Sequence, residues 1–208
     1  MSHAYVSTHT GNSRPGQGSS TSMRKQPCIP PNSSFSINCT NIRGLNKNFN
    51  CVQQYIEVEH PDVLFLTETQ VNRVCFSDQY LINNYRLENS FDFKHGLCVY
   101  INNNVAYSRL SKFEINCAAY NTLILKISLS RKDIIVVGVY RSPNCKYECN
   151  CFENMTEKMD EIIKRFGNAE LVITGDFNVH NRDWLGLSSQ NAPNQAGKKA
   201  QLFASGLN

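Results

Sequence analysis

Five side chains with the chemistry to handle a phosphate ester follow short apolar segments of the sequence: Asn41, Glu68, Tyr140, Asp176 and Asn178. A carboxylate with neighbouring carboxamides suits a hard divalent ion such as Mg²⁺, which keeps most of its waters. A second carboxylate, held off the metal, can act as general base on a water molecule. A tyrosine hydroxyl and asparagine amides can donate to phosphate oxygens and stabilise negative charge. Together these residue types suit metal-assisted hydrolysis of a phosphate ester.

Each of these residues also has a purely structural explanation. Gly-Asp-x-Asn is often a turn, because Gly and Asn tolerate unusual backbone dihedrals. Glu68 can be a solvated charge at a strand end, Tyr140 can be half-buried packing, and His180 can lie on the surface. All the signatures nevertheless fall at strand ends, where the loops of a sheet protein collect ligands. The sequence therefore predicts that they share one site.

The elements that position these residues alternate between strands and helices. Short apolar runs predict a strand that starts at Phe35 and enters a loop at Ile42, followed by strands over 63–66, 97–101, 123–129, 134–140 and 171–173. The polar residues 130–133 predict a hairpin between two of them. Apolar residues at helical spacing predict helices over 49–56, 152–166 and 195–205. Together the elements predict a layered α/β domain with mixed sheets.

Length and composition exclude several classes of protein. The chain has 208 residues, 41% of them hydrophobic, and a mean hydropathy of −0.39. These values fit one globular domain, with or without a tail. No apolar run approaches the roughly 18 residues that a transmembrane helix needs, so we expect no membrane partner. The net charge of +4 permits a polyanionic partner without requiring one.

Residues 1–33 are rich in Ser, Thr, Gly, Pro and Asn, which predicts a disordered leader before a domain over 34–208. The leader holds no apolar core of a secretory signal. We therefore expect a protein of the nucleus or cytoplasm that is not secreted. Nine cysteines without such a signal are read as reduced thiols. Cys145, Cys149 and Cys151 leave a zinc site open as an alternative, although their spacing contains no C-x2-C pair.

The signatures, in order, resemble the endonuclease/exonuclease/phosphatase superfamily. Residues 41–45 read N-I-R-G-L, 66–69 read L-T-E-T, 139–143 read V-Y-R-S-P and 175–178 read G-D-F-N. More closely, they resemble the apurinic/apyrimidinic-type endonuclease domain of non-LTR retrotransposons, over roughly residues 35–208. The resemblance implies a four-layer α/β sandwich, in which two mixed sheets are flanked by helices. It implies Mg²⁺, or Mn²⁺ in its place, bound by Glu68 with Asn41 beside it.

The resemblance also implies roles for the other residues. Asp176 would position or deprotonate the attacking water, Asn178 would hold the phosphate and the water, and Tyr140 would hydrogen-bond the scissile phosphate. The predicted substrate contacts are Arg43, Arg141 and His180. The reaction of the family is the nicking of one DNA strand to leave a 3′-hydroxyl, which primes reverse transcription. DNA is therefore the expected partner, and no obligate protein partner is inferred.

Two departures from the family pattern keep other interpretations open. Thr40 stands where the family usually has Trp, and no Asp-His pair follows Asp176, although the family pattern ends with Ser-Asp-His on a late strand. From this we expect a domain that is incomplete at its C-terminus and lacks its last strands. The alternatives are a phosphatase or phosphodiesterase of the same superfamily that acts on a small molecule or lipid, and a retroelement remnant without catalytic activity.

Overall fold

The computed structural model describes residues 6–7, 35–71, 77–91, 96–143, 150–179 and 195–206. The elements in these ranges are β1 Val6–Ser7, β2 Ile37–Asn41, α1 Leu45–Glu59, β3 Val63–Thr67, β4 Tyr85–Ser90, β5 Leu97–Asn102, β6 Tyr107–Arg109, β7 Tyr120–Ser128, β8 Asp133–Arg141, α2 Cys151–Arg165, β9 Glu170–Asp176 and α3 Gln195–Gly206. Short 3-10 turns lie at Ser77–Tyr80 and Ser111–Phe113. The predicted strands and helices are all present, and β7 and β8 form the predicted hairpin.

The strands form two sheets, and each sheet contains both parallel and antiparallel pairs. The first sheet has the order β2-β3-β5-β4 and the second has the order β1-β9-β8-β7-β6. Among the described strands, β2 with β3 and β8 with β9 are the parallel pairs, and every other neighbouring pair is antiparallel. The strands of a parallel pair end at the same edge of their sheet. The residues that follow them are therefore brought together in pairs.

The helices cover the outer faces of the two sheets. On α1, Val52 and Ile56 are buried against Leu64 and Leu66 of β3. On the other side, α2 and α3 pack on the second sheet, and Met155 and Met159 of α2 are completely buried. The α1 helix ends at Glu59, because His60 takes the left-handed conformation and its N–H bonds to the Ile56 carbonyl at 3.0 Å.

A third apolar layer lies between the sheets. On β3 the side chains of Val63 and Phe65 point away from α1 and pack toward β7 and β8 of the second sheet. Because both faces of β3 are buried, its sequence is continuously apolar rather than alternating. Gly138 of β8 lies directly under the Phe65 ring, and a Cβ atom placed there would be 2.4 Å from two ring carbons. The order of layers is α1, first sheet, second sheet, then α2 and α3, so the predicted four-layer sandwich is confirmed.

Half-buried charges connect the two sheets at one side. The guanidinium of Arg109, at the end of β6, donates to both Glu114 oxygens at 2.9 Å and to Glu88 of β4 at 3.0 Å. Tyr107 also donates to Glu88, at 2.8 Å. The sequence pattern does not predict β4 or β6, because their side chains are largely polar. Some of these polar side chains form hydrogen bonds and ion pairs with side chains of the other sheet.

Val6 and Ser7 of β1 pair antiparallel with Ile173 and Val172 of β9. The sequence pattern does not predict this strand, which lies inside residues 1–33, the segment predicted to be a disordered leader. The remaining residues of that segment, 1–5 and 8–33, lie outside the described residues, so the leader stays a prediction. In the part of the chain that the structure describes, no helix is long and apolar enough to span a bilayer.

The close approach of the sheets at Gly138 can be tested by adding one methyl group. Gly138→Ala places a Cβ against the Phe65 ring, and overpacking of this kind costs about 1–3 kcal/mol. We expect the urea midpoint of unfolding to fall accordingly. The control is Gly206→Ala, where a Cβ meets no atom within 4 Å. Equal midpoints for the two variants would contradict this packing.

Candidate active site

One hydrogen bond joins the polar ends of the two sheets. The Nδ2 of Asn41, the last residue of β2, donates to Oδ2 of Asp176, the last residue of β9, at 2.8 Å. These residues are 135 positions apart in the sequence. The contact places the carboxyl ends of β2 and β3 opposite those of β8 and β9. Four of the predicted signatures therefore converge at one edge of the sandwich, as the sequence predicts.

Backbone hydrogen bonds hold the loop after β2 against the loop after β3. The N–H of Ile42 donates to the Thr67 carbonyl at 3.0 Å, and the N–H of Gly44 donates to the Glu68 carbonyl at 2.8 Å. The side-chain oxygen of Asn41 accepts the N–H of Arg43 at 3.1 Å, which fixes the amide with its nitrogen toward Asp176. Asn41 and Glu68 thus come from two segments that are tied together.

Glu68 adopts a conformation that is uncommon for its residue type. Its φ is +53°, in the left-handed region, where a side chain other than Gly is strained. The flanking Thr67 and Thr69 are fully buried, and neither hydroxyl has a hydrogen-bond partner among the described residues. These two threonines were not among the residues predicted for the site. The available signal was the order Thr-Glu-Thr at the end of an apolar run, which places one charged side chain between two small ones.

Tyr140 lies close enough to the carboxylates of Glu68 and Asp176 to be affected by the charge of both. It is opposite Asp176 in the parallel register of β8 and β9, and only 2% of its surface is exposed. Burial, together with the negative charges of Glu68 and Asp176, raises the pKa of its phenol to about 12. The phenol therefore stays protonated at neutral pH and can donate a hydrogen bond.

A tight turn after β9 fixes the orientation of Asp176. Its Oδ1 accepts the N–H of Asn178 at 3.2 Å, and the Asn178 amide donates to the Arg141 carbonyl at 2.7 Å. Asn178 has φ +46°, a conformation that Asn tolerates better than most residues. Gly175 has φ +149°, and a Cβ there would lie 2.0 Å from the Val139 carbonyl oxygen, so only glycine fits.

The three predicted substrate contacts have different surroundings. Arg43 is exposed beside Asn41. Arg141 is 5% exposed, and its Nη1 points to the carbonyls of Phe177 and Asn178 at 3.4 and 3.2 Å, so it supports the turn after β9. His180 lies outside the described residues. Contact between these three residues and a substrate stays a prediction.

The donor set at this edge fits a hard divalent cation. Glu68 offers carboxylate oxygens, and the Asn41 amide oxygen keeps a second lone pair beside its bond to the Arg43 N–H. In the described ranges, no three His, Cys, Asp or Glu side chains come together as a metal cluster. A cation with few protein ligands and several waters is the usual arrangement for Mg²⁺.

The zinc alternative depends mainly on residues outside the described ranges, since Cys145 and Cys149 fall there. Cys151 begins α2 and is 1% exposed, with its sulfur 3.9 Å from the sulfur of Met155. Near the candidate site, burial raises the pKa of the Cys39 thiol to about 11. A thiol of this kind is protonated at neutral pH and is a poor metal ligand.

Comparison with known proteins agrees with this architecture. The family model described as endonuclease-reverse transcriptase matches residues 134–206, which include all of β8 except Asp133, together with α2, β9 and α3. This description fits the predicted link to retrotransposons. A comparison with curated proteins gives no match.

Several solved structures have the same fold. An AP endonuclease from Leishmania major is 17% identical with a TM-score of 0.60, and the alignment covers 82% of this chain and 66% of that one. A 3′ phosphatase from Neisseria, bound to a product DNA hairpin, is 18% identical with a TM-score of 0.56, covering 82% and 70%. A 3′-5′ exonuclease from Neisseria meningitidis is 20% identical with a TM-score of 0.56, again covering 82% and 70%.

The chain thus spans about two thirds of the length of the structures that it resembles. Two mixed sheets with flanking helices are common to all of them. The expected resemblance is confirmed: this chain has the fold of the AP endonuclease/exonuclease/phosphatase proteins.

Proposed function

We propose that this chain is the DNA-nicking endonuclease domain of a non-LTR retrotransposon and that it hydrolyses one phosphodiester bond with the help of a divalent cation. The observation that carries the proposal is the hydrogen bond between Asn41 and Asp176, because it brings the carboxylate of β9 to the polar end of the first sheet. The family model named for an endonuclease joined to a reverse transcriptase supports the biological setting.

Glu68, with Asn41 beside it, would hold Mg²⁺ or, in its place, Mn²⁺. When bound, the cation would supply positive charge to a phosphate oxygen. In this proposal Asp176 is the general base. Its Oδ1 accepts the Asn178 N–H and its Oδ2 accepts the Asn41 amide, so both oxygens are held in a fixed plane. A carboxylate fixed in this way can orient a water molecule and take its proton as the water attacks phosphorus.

Tyr140 and Asn178 would act on the phosphate itself. The Tyr140 phenol stays protonated and would donate to a non-bridging oxygen as negative charge develops there. Asn178 uses one amide N–H for the Arg141 carbonyl, which leaves its second amide N–H for the phosphate or the attacking water. As the bond from phosphorus to the 3′ oxygen breaks, that oxygen takes a proton from solvent water and leaves as the 3′-hydroxyl, and Asp176 returns its proton to solvent.

DNA is the proposed substrate. The exposed Arg43 lies beside Asn41, where it can reach a neighbouring phosphate, and we retain Arg141 and His180 as predicted contacts. The Neisseria phosphatase of the same fold is bound to product DNA, which supports a nucleic-acid ligand. For this activity we propose a nuclear or cytoplasmic location, with no membrane partner and no obligate protein partner.

Nicking of supercoiled plasmid by the full chain, with Mg²⁺ or with EDTA, tests the proposal. Asp176→Asn keeps an oxygen that can accept the Asn41 amide but removes the base, so we expect a loss of about 10²–10⁴ in rate. The matched control is Asp160→Asn, on the exposed side of α2, which should nick like the unsubstituted chain. The nick should carry a 3′-hydroxyl that a DNA polymerase extends.

Equal nicking by the two variants, or nicking that survives EDTA, would contradict the proposal. If the folded chain does not nick DNA but releases phosphate from small phosphomonoesters or lipid headgroups, it is a phosphatase of the same fold. If it does neither, it is a remnant without catalytic activity.

The titration of Tyr140 gives an independent test of the site. Its folded pKa of about 12 exceeds the ordinary value of 10.0, so the unfolded chain releases this proton first as pH rises. The stability that depends on the neutral phenol is therefore complete below pH 10 and is lost between pH 10 and 12. We expect the free energy of unfolding of Tyr140→Phe to fall less steeply over that range. A phenolate absorbance difference between chain and variant that is half complete near pH 10 would rule out this environment.

A further inference from the structure

A pocket of about 370 Å³ lies at the end of the second sheet that is remote from the candidate active site. It is lined by Lys126 of β7, by Arg131 and Lys132 of the turn between β7 and β8, and by Arg165 and Asn168 at and just after the end of α2. The eight residue steps of β8 from this turn to the candidate site span about 26 Å. The pocket is therefore a separate surface, and its side chains do not reach the candidate site.

The positive charge of this pocket is only partly neutralised. Lys126 pairs with Asp133 at 2.7 Å, and Lys132 pairs with Glu170. Arg131 and Arg165 form no ion pair with any of the described residues, and both are exposed. Two guanidinium groups without an ion pair among the described residues thus line one pocket, and that of Arg165 lies over the Phe166 ring, 5.7 Å from its centroid.

The chemistry of these groups favours a phosphate-bearing ligand. Arginine presents a planar set of N–H donors that matches two oxygens of a phosphate and that stays charged at any physiological pH. None of the four cations is buried, so each contact with a single small anion would be weak and screened by salt. A chain of regularly spaced phosphates can engage several such cations at once.

We propose that this pocket binds backbone phosphates of a nucleic acid and forms a second contact surface outside the candidate active site. Arg131 and Arg165 each bind one phosphate group, and Lys126 and Lys132 add positive charge from their ion pairs. The contact reads no base sequence, because it is made to the backbone. This inference stands without the proposed nuclease activity, since it involves none of the residues that would perform hydrolysis.

The test measures binding of the full chain to a fluorescein-labelled DNA duplex by fluorescence anisotropy at several salt concentrations. Each phosphate contact contributes about 0.9 to the slope of log affinity against log salt. We expect the double variant Arg131→Gln with Arg165→Gln to lower that slope by about 1.8 and to weaken binding at low salt. The matched control is Lys112→Gln with Lys198→Gln, which removes the same charge from exposed positions outside the pocket.

In the Asp176→Asn background, substitution of Arg131 and Arg165 should lower the salt slope of duplex binding by the same amount. Loss of nicking and loss of the pocket contact are therefore measured separately, and failure of one proposal is distinguished from failure of the other. Equal slopes for the pocket variant and its charge-matched control would overturn the inference, as would absence of duplex binding by the unsubstituted chain. A parallel arm adds pyrophosphate at the same phosphate concentration as the duplex. If this small anion displaced the duplex, the pocket would be a binding site for a small phosphorylated molecule, and the inference would also be overturned.

Discussion

The apolar layer between the two sheets is the interaction on which the candidate site depends. Phe65 of β3 packs onto the bare backbone of Gly138 in β8, and this lets the sheets come close enough for side chains at their edges to touch. The Asn41 to Asp176 hydrogen bond, at 2.8 Å, is a consequence of that spacing. A thicker layer would leave the two polar ends as separate surfaces, each with part of the chemistry.

Strand direction then decides which polar residues meet. Each sheet has one described parallel pair, and the two pairs end at the same edge of the sandwich. The strained residues of the site lie just after these ends, with Glu68 at φ +53° and Asn178 at φ +46°. Backbone hydrogen bonds compensate for the strain, as where Gly44 donates to the Glu68 carbonyl.

The two ends of the second sheet carry opposite electrostatic character. At the carboxyl ends of β8 and β9, burial and the negative charges of Glu68 and Asp176 raise the pKa of the Tyr140 phenol and keep it neutral. At the other end, Arg131 and Arg165 remain without an ion pair among the described residues. Under the two proposals, a nucleic acid would be held mainly by the basic end and hydrolysed at the acidic one. The modest net charge of +4 conceals this separation, because it averages over both ends.

The sequence predicted the strands with continuous apolar runs, such as β3 and β8, and the amphipathic helix α2. Burial gives each such segment a pattern of apolar residues that can be seen without knowledge of the rest of the fold. The positions of Asn41, Glu68 and Asp176 were predictable as well, since each lies at the end of a strand or just after it. Strands β4 and β6 were not, because their polar side chains are satisfied by partners such as Arg109 and Glu88 that lie far apart in the chain. The same limit applies to Tyr140, whose pKa is raised by burial and by two carboxylates close to it, and to the grouping of Arg131 with Arg165. The sequence by itself determined the strongly apolar elements and the residue types at their ends. Only the packing of the two sheets decided which of those ends meet, because distance and burial depend on contacts between remote segments.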